Sequence, residues 1–187
     1  VELFLSQEST ENVKIESEEN LVSLFKTSVS DSTLYVFVPS VKKALKLNVT
    51  VAYKDLKQIV LLSEVTLQSE KVANFDDIEI ICGGASRLNF EYKAAKSTVK
   101  VLDNSNVSLR GYSEYLTVEA HDETEVNAFD LQSDNCTIIG SGYAEISINV
   151  KKRLGITMSG SSNLYYMGEA NIWQRNFTST GLITKRK

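Results

Sequence analysis

Apolar and polar residues alternate in short runs along most of this chain, and the runs return at a nearly constant interval. Between Leu56 and Thr184 a unit of about 18 to 20 residues recurs. Gly140–Val150 (GSGYAEISINV) and Met158–Gly168 (MSGSSNLYYMG) are its best-preserved copies. Anchored on the apolar residue after each central turn, the copies fall at Val65, Leu88, Val107, Val126, Ile146, Leu164 and Leu182, with steps of 23, 19, 19, 20, 18 and 18 residues. Two residues on from the anchors stand Leu67, Phe90, Leu109, Ala128, Ile148, Tyr166 and Thr184. The positions between are mostly polar, including Asn89, Ser108, Asn127 and Ser147. A period of two places one face inward and one outward, which predicts strands. Before each turn the pattern returns at Ile78/Ile80, Val99/Val101, Leu116/Val118 and Ile156/Met158.

A unit this short cannot bury an apolar face by itself, whereas stacked copies share one continuous core. No anchor region carries i, i+3, i+4, i+7 spacing over three turns, so helices are excluded there. Repeat identity sets equivalent residues in register, which favours stacked parallel strands over an antiparallel sandwich. The expected fold is therefore all-β: a parallel β-solenoid of about seven rungs. Its corners fall at Gly83–Ser86, Asp103–Asn106, His121–Thr124, Gly140–Gly142 and Ser159–Ser162, where Gly and Asn tolerate positive φ.

Residues 1–55 differ from this pattern and are expected to form an N-terminal β cap that merges into the stack, since an uncovered end rung templates aggregation. Val1–Leu5 and Val13–Ile15 are expected strands. Leu21–Val29 fits a helix face or a strand. Ser30-Asp31-Ser32 predicts a hairpin turn, followed by strands at Leu34–Val38, ended by Pro39, and at Leu45–Val51. The whole chain, 1–187, is expected to be a single domain, with 1–55 as the cap and 56–187 as the solenoid repeats.

Composition narrows the partners. An apolar fraction of 42% with 24% charged residues suits a folded chain rather than a disordered one. A net charge of −4 argues against nucleic acid, which needs a basic face. No run of 18 apolar residues is present, so no transmembrane segment is expected. The chain opens on Val1 without an initiator Met, which predicts that an upstream segment, compatible with an export signal, has been removed. Cys82 and Cys136 fall three units apart, about 14 Å at strand spacing, beyond disulfide reach, and are expected to be free thiols.

The copies at Gly140–Val150 and Met158–Gly168, with the closing Ser179-Thr180-Gly181, resemble the repeated small-residue units of the auto-transporter adhesin head domain, the GIN domain. Ser159-Gly160-Ser161-Ser162, Leu164, Tyr165-Tyr166 and Gly168 follow that family's order of turn, strand, aromatic pair and Gly. The Leu34-Tyr35-Val36 strand fits its N-terminal part, so the resemblance covers nearly the whole chain. It implies a right-handed parallel β-helix, export to the envelope of Gram-negative bacteria, and adhesion. No catalytic residue is carried over. Asp103–Asn106 and His121–Thr124 lack the glycines the family places at its corners, which predicts differently shaped turns there.

Candidate chemistry is sparse. His121 with Asp122, Glu123 and Glu125 is the one meeting of an imidazole with carboxylates, and it reads as a solvated corner because no Gly-x-Ser-x-Gly motif accompanies it. Asp76-Asp77-Glu79 and Asp122-Glu123-Glu125 are acidic clusters without the nonapeptide that builds Ca²⁺ rolls, so neither metal nor cofactor is expected. Glu125 and Glu145 share an outward face, yet about seven rungs span only about 34 Å, a short groove for a polysaccharide-active enzyme. Four N-x-[ST] sequons, at Asn48, Asn106, Asn135 and Asn176, arise by chance in an Asn/Ser/Thr-rich repeat and stay unmodified in a bacterial protein. Tyr92, Tyr112, Tyr115, Tyr143, Tyr165, Tyr166 and Trp173 can pack between rungs or stack on sugars, and Tyr165 is expected outward and Tyr166 inward. The function expected is an exported, non-enzymatic binding module for a glycan or an extracellular protein. Alternatives are an end-to-end structural polymer, disfavoured by the polar termini Ser6–Asn12 and Lys185–Lys187, and a polysaccharide-active β-helix enzyme.

Overall fold

A computed structural model describes residues 1–22, 24–37 and 47–187. Its frame is four long strands, β9 (Arg87–Val101), β10 (Asn106–Ala120), β11 (Glu125–Gly140) and β12 (Glu145–Met158), each one rung of a parallel stack. β7 (Thr66–Ser69) and β8 (Ala73–Cys82) make the rung before them. β13 (Asn163–Met167), β14 (Asn171–Phe177) and β15 (Ile183–Lys185) continue the stack on the other side. Thirteen of the described strands form one sheet, a parallel β-solenoid of about seven turns.

Inward residues line up rung above rung. Leu67, Leu88, Val107, Val126, Ile146 and Leu164 form one fully buried column, and Ile183 continues it half-buried. The anchors at Leu88 through Leu164 are thus in register, while the two end anchors shift. Val65 gives way to Leu67, and Leu182, 62% exposed, gives way to Ile183. On the far side of each rung the columns are Ile78-Ser97-Leu116-Cys136-Leu154, Ile80-Val99-Val118-Ile138-Ile156 and Cys82-Val101-Ala120-Gly140-Met158. The pairs Ile78/Ile80 and Leu116/Val118 therefore sit one column earlier than Val99/Val101 and Ile156/Met158. Three inward columns, rather than two, explain that offset. Tyr53, Phe75, Phe90 and Tyr92 stack inside at centroid separations of 5.7 to 6.4 Å, within the range favoured by aromatic pairs.

The five corners between Gly83 and Ser162 each carry a left-handed residue. Gly84, Gly142 and Gly160 take φ of 64°, 69° and 70°; Asp103, Asn104 and Asp122 take 53°, 57° and 63°. The corners without glycine therefore keep the left-handed geometry of the others, because short Asp and Asn side chains tolerate that region. Behind the corners runs an inward column of small residues: Ser86, Ser105, Thr124, Ala144 and Ser162. The Ser86 N–H donates to Ser105 Oγ at 3.1 Å.

At the N-terminal end β1 (Glu2–Gln7) inserts between β7 and β5 (Leu47–Tyr53), parallel to both. β2 (Asn12–Ser17) then closes the sheet antiparallel to β5, and β6 (Gln58–Leu61) pairs with β8. The ambiguous Leu21–Val29 divides: one helical turn, α1 (Glu19–Val22), precedes β3 (Lys26–Ser30). β3 and β4 (Thr33–Phe37) form a separate hairpin, turned by Asp31 and Ser32 at φ 49° and 62°, as a two-residue primed turn requires. Val38, Pro39, Leu45 and Lys46 lie outside the described residues.

Candidate functional site

The alternation breaks where consecutive residues turn outward: Asp76-Asp77 in β8, Ala95-Lys96 in β9, Glu114-Tyr115 in β10, Asp134-Asn135 in β11 and Lys151–Arg153 in β12, with a second break in β11 at Phe129-Asp130. The last residues of the aligned runs form an outward column: Asp77, Lys96, Tyr115, Asn135, Arg153, then Asn171 of β14. The next outward column is Glu79, Thr98, Thr117, Thr137 and Gly155. Opposite Leu154 and Gly155 the register of β14 slips by one residue, and Trp173 is the extra one. Gly155 leaves room for its indole: a Cβ there would lie 3.0 Å from Cζ2 and 3.2 Å from Nε1 of Trp173. The Arg153 guanidinium lies 5.4 Å from the indole centroid, within cation–π range.

These residues wall an open cleft of about 330 Å³ between Tyr115 and Trp173, floored by Thr117, Asn135 and Thr137. Tyr115 and Trp173 are 53% and 50% exposed, although both are large and partly apolar. Lys96 reaches Asp77 at 3.7 Å, and Lys152, the neighbour of Arg153 in sequence, holds Asp134 at 2.7 Å. That hydrogen bond from the Lys152 ammonium keeps the Asp134 carboxyl below its ordinary value. Among the described residues Arg153 has no carboxylate partner; the indole is its contact. Asn135 donates its amide to the Glu114 carbonyl at 3.4 Å, which leaves its own carbonyl oxygen to accept. The cleft therefore offers two aromatic faces, an amide, hydroxyls and one unpaired cation.

The interior beneath it is not reactive. Cys136 is buried, and burial pushes its thiol upward; burial likewise pushes Cys82 up to about 12. Both thiols are free and lie in different columns three strands apart. Tyr92 donates to Ser97 Oγ at 3.0 Å, and Ser97 meets Ser113 at 2.8 Å, a buried polar chain that satisfies the phenol.

The other sequence candidates lie apart. His121 Nδ1 stands 2.6 Å from Ser141 Oγ at a corner, with Asp122, Glu123 and Glu125 exposed around it. Asp77 pairs with Lys96, and Glu79 with Lys100 at 2.9 Å. Glu125 and Glu145 are adjacent in register at the start of their strands, exposed. Among the described residues no three His, Cys, Asp or Glu side chains converge as metal ligands do, and no helix is long and apolar enough to cross a membrane. Of the tyrosines, Tyr92 is buried and Tyr143 is exposed on a corner. Tyr166 packs against the core, while Tyr165 lies between the inward Leu164 and Tyr166, under the Arg186 guanidinium at 4.6 Å.

Tyr115 and Trp173 were among the sequence candidates; Lys96 and Arg153 were not, and Asn135 stood out only as a sequon. The signal for them is a break in the alternation before the inward column, as in Ala95-Lys96, Glu114-Tyr115, Asp134-Asn135 and Lys151-Lys152-Arg153.

A second concave region borders the hairpin. Val13, Val29, Leu34, Val51 and Leu56 line one groove beside it, and Leu3, Val36, Phe37, Val60 and Leu62 another.

Residues 1–170 match the family model described as "Putative auto-transporter adhesin, head GIN domain". No curated protein matches the chain in sequence. Among solved structures, a putative adhesin from Bacteroides fragilis superposes with a TM-score of 0.91 at 18% identity, covering 99% of this chain and 88% of that one. A putative lipid binding protein from Parabacteroides distasonis gives 0.72 at 19% identity, covering 100% and 88%. A putative adhesin from Parabacteroides merdae gives 0.66 at 19%, also covering 100% and 88%. At these identities the likeness is one of fold.

Proposed function

Because the chain belongs to the auto-transporter adhesin head GIN domain family, we propose that it is a non-catalytic binding module of the bacterial cell envelope, facing outward. One observation carries the reading: the cleft between exposed Tyr115 and Trp173, set on the outer face of the stacked strands. Aromatic side chains with an apolar body and a polar tip favour contact surfaces, since they lose little conformational freedom on binding. Backbone hydrogen bonds along β9 to β12 hold the column of contact residues at strand spacing before any partner arrives, which lowers the ordering cost.

The experiment is a screen of immobilised glycans and extracellular matrix proteins against the full chain, with Tyr115→Ala/Trp173→Ala as the paired variant. Specific capture that drops at least about tenfold in the variant is the expected result. Turnover of any polysaccharide in the same screen, seen as released reducing ends, would replace the binding module with an enzyme.

A second reading rests on the apolar grooves beside the β3–β4 hairpin, where Phe37 and Leu62 are exposed. A solved structure of this fold carries the description of a lipid binding protein. Saturable uptake of a fluorescent fatty acid, lost in Leu34→Asp, would favour a lipid ligand over a surface partner.

A further inference from the structure

We propose that the cleft between Tyr115 and Trp173 is a subsite for an acidic oligosaccharide, whose carboxylate or sulfate group meets Arg153 while its ring lies on the Trp173 indole. The proposal deepens the binding-module reading and rests on it. Three features of the cleft point to this chemistry.

Charge comes first. Of the two cations that line the cleft, Lys96 is held by Asp77, whereas Arg153 faces no carboxylate among the described residues. A planar guanidinium takes a carboxylate or sulfate through two parallel N–H donors, a geometry a lysine does not offer. The aromatic positions come next. Tyr115 on β10 and Trp173 on β14 are three strand steps apart, about 14 Å at ordinary strand spacing. That interval holds more than one sugar ring and is longer than a single small anion needs. Between them Asn135, Thr117 and Thr137 line the cleft, side chains that carry acceptors and donors suited to sugar hydroxyls.

Overall charge sets the size of the ligand. At −4 the molecule repels an extended polyanion, but salt screens that field beyond about 8 Å at physiological ionic strength. A short acidic oligosaccharide thus meets the local cation and escapes most of the repulsion. The shared chemistry covers uronic acids, sialic acids and sulfated sugars.

Trp173 is the single tryptophan of the chain, so its fluorescence reports this cleft alone. The full chain is titrated with trigalacturonic acid, 3′-sialyllactose and a heparin-derived tetrasaccharide, with maltotriose and lactose as uncharged controls. The expected result is a saturable fluorescence change with at least one acidic probe, with Kd on the order of 1 mM or tighter. Binding should weaken as salt rises, and at least about tenfold in Arg153→Gln. Gly155→Ala serves as the second variant: its methyl displaces the indole without removing it, and affinity should fall with the fold intact by circular dichroism. Tyr143→Ala, on a distant corner, should bind like the parent. Which acidic probe saturates identifies the source of the anion.

Equal binding of charged and uncharged probes, an Arg153→Gln variant that binds like the parent, or no saturable change with any acidic probe would each overturn the proposal. Should a matrix protein be captured in the screen while every acidic probe fails here, the binding module stands and the acidic-sugar subsite falls. Should both fail, the binding module falls with it.

Discussion

Gly111 sits in mid-strand at φ 110°, a conformation open to glycine and strained for other residues, and a Cβ there would collide with the Tyr92 carbonyl oxygen of the neighbouring rung. Gly111→Ala is therefore expected to destabilise by at least about 2 kcal/mol in denaturant titration. Gly155→Ala should cost clearly less, because its neighbour is a movable indole. A second expectation concerns alkaline pH. Burial pushes Cys82 from 9.0 up to about 12, and Tyr53 from 10.0 up to about 12. Both groups are raised in the fold, so the neutral forms stabilise it fully below the unfolded values, and that stabilisation is lost as pH climbs toward 12. Denaturation midpoints should fall between pH 9 and 12, with a shallower slope in Cys82→Ala. A midpoint that is flat across that window would contradict the burial of these groups. Single residues of this kind were only partly legible in the sequence. The glycine corners announced themselves, but Asp103 and Asp122 do the same work without glycine, and composition alone does not separate an Asp that turns the chain from one that binds a cation.

Across an element, the alternation of each strand separates structural from contact residues. Leu116 points inward and Tyr115, its neighbour on β10, points out. Leu116→Ala should cost about 2–5 kcal/mol, and Tyr115→Ala should stay within about 0.5 kcal/mol. Comparable losses in the two variants would show that the break in the alternation of β10 is misplaced. Periodicity identified the register of the central rungs from Leu88 to Leu164, where each inward residue has a like neighbour on both sides. It slipped at Val65 and Leu182, because the terminal rungs are covered on one side only and their apolar residues are partly exposed. The cleft was legible only through its two aromatic residues. Arg153 and Lys96 become its neighbours through the position of the break and the one-residue slip in β14, and a repeat length of 18 to 20 residues does not specify either.

For the molecule as a whole, the stacked columns join every rung from β5 to β15 into one core. The chain is accordingly expected to unfold in a single cooperative transition, with fluorescence and circular dichroism coincident; separated transitions would divide the N-terminal segment from the solenoid. At the N-terminal edge the sheet ends on antiparallel β2, so a second copy finds no parallel rung there to continue. Light scattering should then show no filaments as concentration rises. The central claim, an outward-facing binding module, is tested most directly by antibody access on intact cells of the source bacterium. Labelling without permeabilisation of the outer membrane is the predicted result. Labelling that appears only after permeabilisation would contradict it and place the protein, with any partner, inside the envelope.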